Sequence, residues 1–107
     1  MPEHRLTTAR RARYYTSGGL NGVAPDTWIV LHGFGQLAAE FLSFFESIAS
    51  PERLVVAPEA LNRFYVDPGT SGSRADAKVG ATWMTREDRE SEIADYVDFL
   101  DAVWAET

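Results

Sequence analysis

The chain has 107 residues, of which 45% are hydrophobic and 24% charged, and its formal net charge is −6. This length predicts a single domain over residues 1–107, and the composition is that of a globular protein rather than a disordered one. The acidic balance disfavours a nucleic-acid partner, the apolar runs are too short for a membrane span, and the absence of cysteine excludes disulfides and thiolate metal sites.

Residues 1–13 are polar and contain no apolar core segment, which predicts no cleavable secretory signal and a cytoplasmic location. Charge is distributed unevenly along the chain. Arginines crowd the beginning and carboxylates crowd the last stretch, namely Arg5, Arg10, Arg11 and Arg13 against Glu87, Asp88, Glu90, Glu92, Asp95, Asp98, Asp101 and Glu106. Two interpretations remain open: a strand and a helix with solvated faces, or two ends that attract each other.

The first half of the chain predicts strands that alternate with a helix. A weak alternation over residues 11–16 predicts an exposed or edge strand, and apolar runs predict buried strands over residues 27–32 and 53–57. Between the two buried strands, an apolar stripe predicts a helix that begins near Gln36 and consists of Leu37, Phe41, Phe44, Phe45 and Ile48. Two strands joined in this way form a βαβ unit, so the predicted fold class is α/β with a mostly parallel sheet and flanking helices.

The second half predicts a long loop and a last helix. Residues 62–81 hold prolines, glycines and small hydroxyl residues, and a loop of this length is usually functional or mobile. Thr85 is predicted to open the helix, whose apolar face is formed by Ile93, Tyr96, Val97, Leu100, Val103 and Trp104.

The most informative segment is the turn His32-Gly33-Phe34-Gly35-Gln36, which follows the apolar strand directly. Its glycines let the backbone turn sharply with N–H groups exposed to a ligand, and the helix that is predicted to follow adds positive potential. The segment therefore predicts a site that stabilises an anion.

This turn, followed by Leu54-Val55-Val56-Ala57-Pro58, resembles the α/β hydrolases, and more narrowly the phospholipase/carboxylesterase group of serine esterases that includes the acyl-protein thioesterases. The resemblance implies a small carboxylic ester or thioester substrate and no cofactor. It also implies that the Phe34 N–H contributes to an oxyanion hole, with His32, Gly33, Gly35 and Gln36 supporting the turn. Preorganised donors of this kind stabilise the tetrahedral intermediate of acyl transfer.

The nucleophile of these hydrolases is missing from the sequence. It lies in a Gly-x-Ser-x-Gly elbow between a strand and a helix, and an acid and a histidine follow it. The nearest approach is Gly69-Thr70-Ser71-Gly72-Ser73, whose last residue is not glycine and whose flanks are neither an apolar strand nor a helix. The available histidines, His4 and His32, do not follow a serine elbow. We therefore expect the N-terminal portion of such an enzyme, without the nucleophile strand and inactive unless another segment or chain completes it.

Two further expectations concern ligands and partners. Tyr65 and Trp83 are candidates to line a substrate groove, and no metal site is predicted because His4 and His32 are remote from each other and from paired carboxylates. Without the nucleophile strand, the strand over residues 27–31 would be an open edge, which predicts a homo-oligomer or a complementing chain.

Two alternative functions remain open. The first is a non-catalytic interaction module that uses the exposed sheet edge. The second is a dinucleotide-binding βαβ unit, because Gly33-Phe34-Gly35-Gln36-Leu37-Ala38 satisfies the Gly-x-Gly-x-x-Ala form of that fingerprint and Glu59 follows about 20 residues on.

Overall fold

The computed structural model describes residues 1–19, 26–67 and 77–107 of the chain. Its strands and helices, in chain order, are β1 (Tyr14–Gly18), β2 (Asp26–Ile29), α1 (Ala38–Leu42) with a following 3-10 turn (Ser43–Phe45), β3 (Arg53–Pro58), β4 (Asn62–Asp67), β5 (Lys78–Thr82) and α2 (Arg89–Glu106).

The first three strands form one sheet in the order β1-β3-β2. β3 lies in the centre because its run of β-branched and small residues, Val55 to Ala57, is fully buried. β2 is parallel to β3, which confirms the parallel pair that the apolar strands predict, whereas β1 is antiparallel to β3. The sheet is therefore mixed.

The predicted fold class, α/β with a mostly parallel sheet, is wrong. β4 and β5 form a second, antiparallel pair, so parallel pairing among the described strands is confined to β2 and β3. Both strands lie where the glycine and proline content of residues 62–81 predicts a loop. The signal for them is the apolar and β-branched residues at either end of that stretch, Phe64, Val66 and Val79, which favour extended backbone.

Two elements of the first half also differ from their predicted form. β2 lies at the edge of its sheet, and Trp28 and Leu31 are 43% and 48% exposed instead of buried on both faces. α1 is only five residues long and gives way to the 3-10 turn. The Ser43 hydroxyl donates to the Glu40 carbonyl oxygen at 2.6 Å, a local bond that competes with a continuing helix, and Phe44 is left exposed.

The core is small and lies between α1 and one face of the mixed sheet. Its buried members are Ala38 and Leu42 from the helix and Val55 and Ala57 from β3. Partly buried side chains surround them, namely Tyr15, Val30, Phe45, Ile48 and Ala49. Burial of this face is the term that stabilises such a sheet and helix pair.

α2 begins at Arg89, four residues later than Thr85, and packs loosely. Val103 is its fully buried side chain, whereas Val97 and Trp104 on the face predicted to be apolar are 44% and 66% exposed. Within the described ranges, neither this helix nor α1 is long and apolar enough to cross a membrane.

Candidate functional site

The turn that follows β2 is closed by its own hydrogen bonds. The Gln36 N–H donates to the Gly33 carbonyl oxygen at 3.2 Å, and the Gly33 N–H donates to the Gln36 side-chain Oε1 at 2.6 Å. Gly35, the third residue of this four-residue turn, has a φ of 78°, a conformation that favours glycine. Gly33, Gly35 and Gln36 therefore define the geometry of the turn.

Strand β5 is joined to the turn by two backbone hydrogen bonds. The Gly35 N–H donates to the Ala81 carbonyl oxygen at 2.9 Å, and the Ala81 N–H donates to the Gln36 carbonyl oxygen at 3.0 Å. Gly80 makes this approach possible, because a Cβ at that position would overlap the Gly35 carbonyl group. The turn is thus attached to the second sheet as well as to the first.

Within the four-residue turn from Gly33 to Gln36, these bonds leave one N–H without a partner among the described residues. The N–H groups of Gly33, Gly35 and Gln36 all donate, whereas the Phe34 N–H makes no hydrogen bond within the described part of the chain. Phe34 as a whole residue is 74% exposed, and its ring contacts Phe64 of β4 with the ring centroids 5.1 Å apart. The residue that carries this N–H therefore lies at the surface.

His32 is buried directly beneath the turn, with 3% of its surface exposed. Its Nδ1 lies 2.8 Å from the Gly33 carbonyl oxygen, and its Nε2 accepts a hydrogen bond from the Ala60 N–H at 3.0 Å. A carbonyl oxygen only accepts, so Nδ1 carries the proton and Nε2 does not. The ring is therefore neutral, with one defined tautomer.

Trp83 contacts His32 through both its ring and its N–H group. Its indole ring stacks on the imidazole with centroids 5.1 Å apart, and its Nε1–H donates to the His32 carbonyl oxygen at 2.8 Å. The ring of Tyr96 from α2 makes a T-shaped contact with the indole, with the ring centroids 6.0 Å apart. The structure thus gives Trp83 contacts that support the turn, whereas Tyr65, the other groove candidate, lies half-exposed on β4.

Glu59 is the most buried charged side chain near the turn, at 1% exposure. Its Oε2 accepts from Arg13 and Arg63 at 2.7 Å, and its Oε1 accepts from the Ala38 N–H at 3.2 Å. Burial raises the pKa of Glu59, but the hydrogen bonds from Arg13, Arg63 and Ala38 outweigh it and hold the pKa below its ordinary value. The carboxylate therefore joins the first sheet, the second sheet and the start of α1.

Three other sequence predictions concern a dinucleotide site, a serine nucleophile and a metal site. Glu59 is fully engaged in the interior, so its position disfavours a role as the ribose ligand of a dinucleotide site. The Gly69-Thr70-Ser71-Gly72-Ser73 segment lies outside the described residues. In residues 1–19, 26–67 and 77–107, no group of three His, Asp or Glu side chains is arranged to hold a metal ion.

A separate groove of about 1200 Å³ lies between the N-terminal arm, residues 3–12, and α2. Arg5, one of the lining residues, donates to both carboxylate oxygens of Asp88, at 3.2 and 3.1 Å, and to the Ser91 hydroxyl at 2.9 Å. The groove carries Asp95, Asp98 and Glu106 along its helix wall. The attraction between the two ends of the chain is thus realised in one exposed ion pair.

Several residues that build the site escape the sequence interpretation. The arginine partners of Glu59 lie 46 residues before it and 4 residues after it, at Arg13 and Arg63. Gly80 and Ala81 approach the turn from a segment predicted to be a loop. The available signal was a carboxylate directly after a buried strand, since a charge in that position needs partners.

No model of a known protein family matches the chain, and no curated protein matches its sequence. The function has therefore to be inferred from the turn and its supports.

Proposed function

We propose that the turn presents the Phe34 N–H as one donor of an oxyanion hole in the hydrolysis of a carboxylic ester or thioester. The nucleophile comes from polypeptide other than these 107 residues, in the same protein or in a second chain. The observation that carries this proposal is the uncommitted Phe34 N–H in a turn whose three other N–H groups are all engaged within the described residues.

Preorganisation supports this role. An oxyanion donor must already point at the place where charge develops, because reorienting it during the reaction would cost free energy. The turn is held by the Gln36 side chain, by Ala81 of β5 and by the ring of His32. Loss of one such donor typically slows acyl transfer about 10²–10³-fold.

The sequence also limits what the isolated chain can do. It contains no Gly-x-Ser-x-Gly, and His32 uses both ring nitrogens in hydrogen bonds beneath the turn. We therefore expect p-nitrophenyl ester hydrolysis by the isolated chain to remain at the rate of the buffer. Clear turnover that is abolished by Ser71→Ala would show that the nucleophile is present and that the proposal assigns it wrongly.

Direct binding of an anion tests the donor itself. The probe is dimethylphosphinate, a tetrahedral monoanion that imitates the charge and shape of the intermediate, titrated into the ¹⁵N-labelled chain at constant ionic strength. We expect the Phe34 amide proton to move downfield in a weak but saturable manner while the Gly35 amide, which is bonded to Ala81, remains unchanged. Equal movement of all turn amides, or none, would contradict the proposal.

Matched variants separate the backbone donor from the side chain. Phe34→Pro removes the N–H at the second position of the turn, where proline is well tolerated, and Phe34→Leu keeps the N–H but removes the aromatic ring. Phosphinate binding, followed on the phosphorus resonance of the ligand, is expected to disappear in Phe34→Pro and to persist in Phe34→Leu. Loss of binding in both variants would assign it to the ring.

The open edge of β2 favours a second candidate, an interaction module that pairs with another strand. Val30 donates to Val56 of β3 at 2.8 Å, so the N–H groups of Thr27 and Ile29 point to the opposite side, where no strand lies among the described residues. The exposed Trp28 and Leu31 side chains border this edge. Unprotected edges recruit further strands, which supports a homo-oligomer or a complementing chain.

Analytical ultracentrifugation tests this candidate with a pair of variants. Thr27→Pro removes an outward N–H without removing a bond to β3, and Thr27→Val keeps the N–H while it removes the hydroxyl. We expect the wild type and Thr27→Val to self-associate and Thr27→Pro to be monomeric. A wild-type protein that remains monomeric at all concentrations, with no strand-donating partner, would refute edge pairing.

A further inference from the structure

We infer that His32 is a positioning residue whose hold on the turn depends on the protonation state of its ring. In its neutral form the ring holds the turn that presents the Phe34 N–H, and a proton on Nε2 releases the turn. The effect on catalysis depends on the proposed function, whereas the release itself can be observed without it.

The hydrogen bonds of the ring require the neutral form. Nδ1–H donates to the Gly33 carbonyl oxygen at 2.8 Å, and Nε2 accepts from the Ala60 N–H at 3.0 Å. A proton on Nε2 would convert the acceptor into a donor and set two N–H groups against each other. His32 is 3% exposed, so bulk water does not reach the ring to accept the new N–H while the turn remains in place.

Glu59, the carboxylate next to Ala60 in the chain, is not a ready acceptor for that proton. Glu59 precedes Ala60 in the chain, but its carboxylate already accepts from Arg13, Arg63 and the Ala38 N–H. Burial raises the pKa of Glu59 and its hydrogen bonds lower it further than burial raises it, so the carboxylate stays ionised when a histidine takes up a proton.

Two ionisable side chains of α2 contact Trp83 or residues close to it. Tyr96 makes a T-shaped contact with Trp83, and Glu92 accepts from Asn62 at 2.7 Å and from the Thr85 N–H and hydroxyl at 2.8 and 2.9 Å. The face of the Trp83 indole favours a cation, which allows the charged ring to remain near Trp83 after it leaves Ala60.

The release is local because the other end of the turn is attached separately. Ala38, the first residue of α1, is held by Glu59, and Gly35 and Gln36 are held by Ala81. Loss of the bond between His32 and Ala60 therefore loosens the beginning of the turn, next to the Phe34 N–H, while both sheets remain folded.

Tryptophan fluorescence provides the first readout. In a Trp28→Phe/Trp104→Phe background, emission comes from Trp83 alone, and an imidazolium in contact with an indole quenches it. We expect emission to fall as the pH is lowered from the alkaline end, because a proton on the ring sets a positive charge against the stacked indole. The Ala60 amide is expected to shift with the same midpoint and to exchange with solvent about 10-fold faster at the acid end, as for the loss of one hydrogen bond.

Two variants make the assignment specific. His4→Gln removes the other histidine and is expected to leave both transitions unchanged. His32→Gln offers a non-titrating oxygen to the Ala60 N–H and is expected to abolish both while the fold is kept. A transition that persists in His32→Gln, or its absence from the wild type, would overturn the inference.

Ring-nitrogen chemical shifts of the wild type decide the matter if His32→Gln does not fold. We expect an unprotonated Nε2 and a protonated Nδ1 at the alkaline end, and protonation of Nε2 in step with the Ala60 shift. A proton on Nε2 at the alkaline end would refute the inference.

Phosphinate titrations at both ends of the pH range distinguish failure of this inference from failure of the proposed function. A response of Phe34 at the alkaline end only would support both. No response at either end, together with transitions of Trp83 and Ala60, would refute the proposed oxyanion hole and leave the release intact. Equal responses at both ends would show that His32 does not position the turn.

Discussion

The ion pairs that Glu59 makes between the two sheets are buried, whereas the ion pair between the two ends of the chain, Arg5 with Asp88, is exposed. Around Glu59, two arginines and a backbone N–H converge on a carboxylate that is 1% exposed, and each links a different element. Between the N-terminal arm and α2, Arg5 and Asp88 pair with side chains that are 58% and 47% exposed, beside an open groove. The comparison teaches that charge complementarity in sequence defines structure only where burial makes a partner obligatory.

The largest effect is expected from Glu59→Gln. The amide retains an acceptor for the Ala38 N–H but leaves Arg13 and Arg63 without an anionic partner. We expect a loss of about 3 kcal/mol in the free energy of unfolding, at the low end of the range for a broken buried pair because both arginines are partly exposed. Urea unfolding measures this loss. An unchanged midpoint would show that the buried Glu59 ion pairs contribute no more to stability than the exposed Arg5–Asp88 pair.

The next largest effect is expected from Gly80→Ala. The new methyl group overlaps the Gly35 carbonyl, so β5 must separate from the turn, at a cost of about 2 kcal/mol, typical of overpacking. Gly33→Ala is the matched control, because its Cβ would lie 3.2 Å from the movable Gln36 Oε1. Urea unfolding compares the two, and a Gly80 variant as stable as the Gly33 variant would show that the backbone approach is unimportant.

Acid is expected to remove the stabilisation that the buried ion pairs of Glu59 provide. The pKa of Glu59 is below its ordinary value of 4.5, so its contribution to stability is fully present above that value and is lost as the pH falls through the lower, folded pKa. Urea midpoints measured from about pH 6 downward should therefore decline in the wild type, and less steeply in Glu59→Gln. Parallel declines would assign the loss to other carboxylates.

The smallest effect is expected from Arg5→Ala. The hydrogen bond from Arg5 lowers the pKa of Asp88, but both groups are solvated, and exposed pairs of this kind contribute little. We expect no measurable change in the urea midpoint, and increased amide exchange confined to residues 3–12 and the first turn of α2. A midpoint shift as large as that of Glu59→Gln would show that the exposed ion pair stabilises the fold as much as the buried ones.

The parts of the fold that could be predicted are those with local signals. The uninterrupted apolar run of β3 predicts its burial, and the helix between β2 and β3 predicts their parallel pairing. β4 and β5 were missed because the glycines and prolines between them dominate the composition of residues 62–81. The true length of α1 was missed because the apolar stripe continues past Ser43 even though the helix does not.

The candidate site likewise has a part that local sequence signals predict and a part that they do not. Glycine spacing predicts the turn at Phe34, and the function of that turn stays a prediction. The supports depend on contacts that are distant in sequence, such as Arg13 with Glu59 and Trp83 with His32, which are 46 and 51 residues apart. Long-range partners of this kind follow from tertiary packing and leave no periodic trace in the sequence.

The paired hydrogen bonds between residues 35–36 and Ala81 make the turn a mechanical link between the two sheets. A small rotation of the β4–β5 pair against the first sheet would change the direction of the Phe34 N–H. By thermodynamic reciprocity, an anion that selects one orientation of that N–H must also select one angle between the sheets, by the same factor. Binding of an anion at the turn would therefore restrict the movement of β4 and β5 relative to the first sheet, although the anion contacts neither strand.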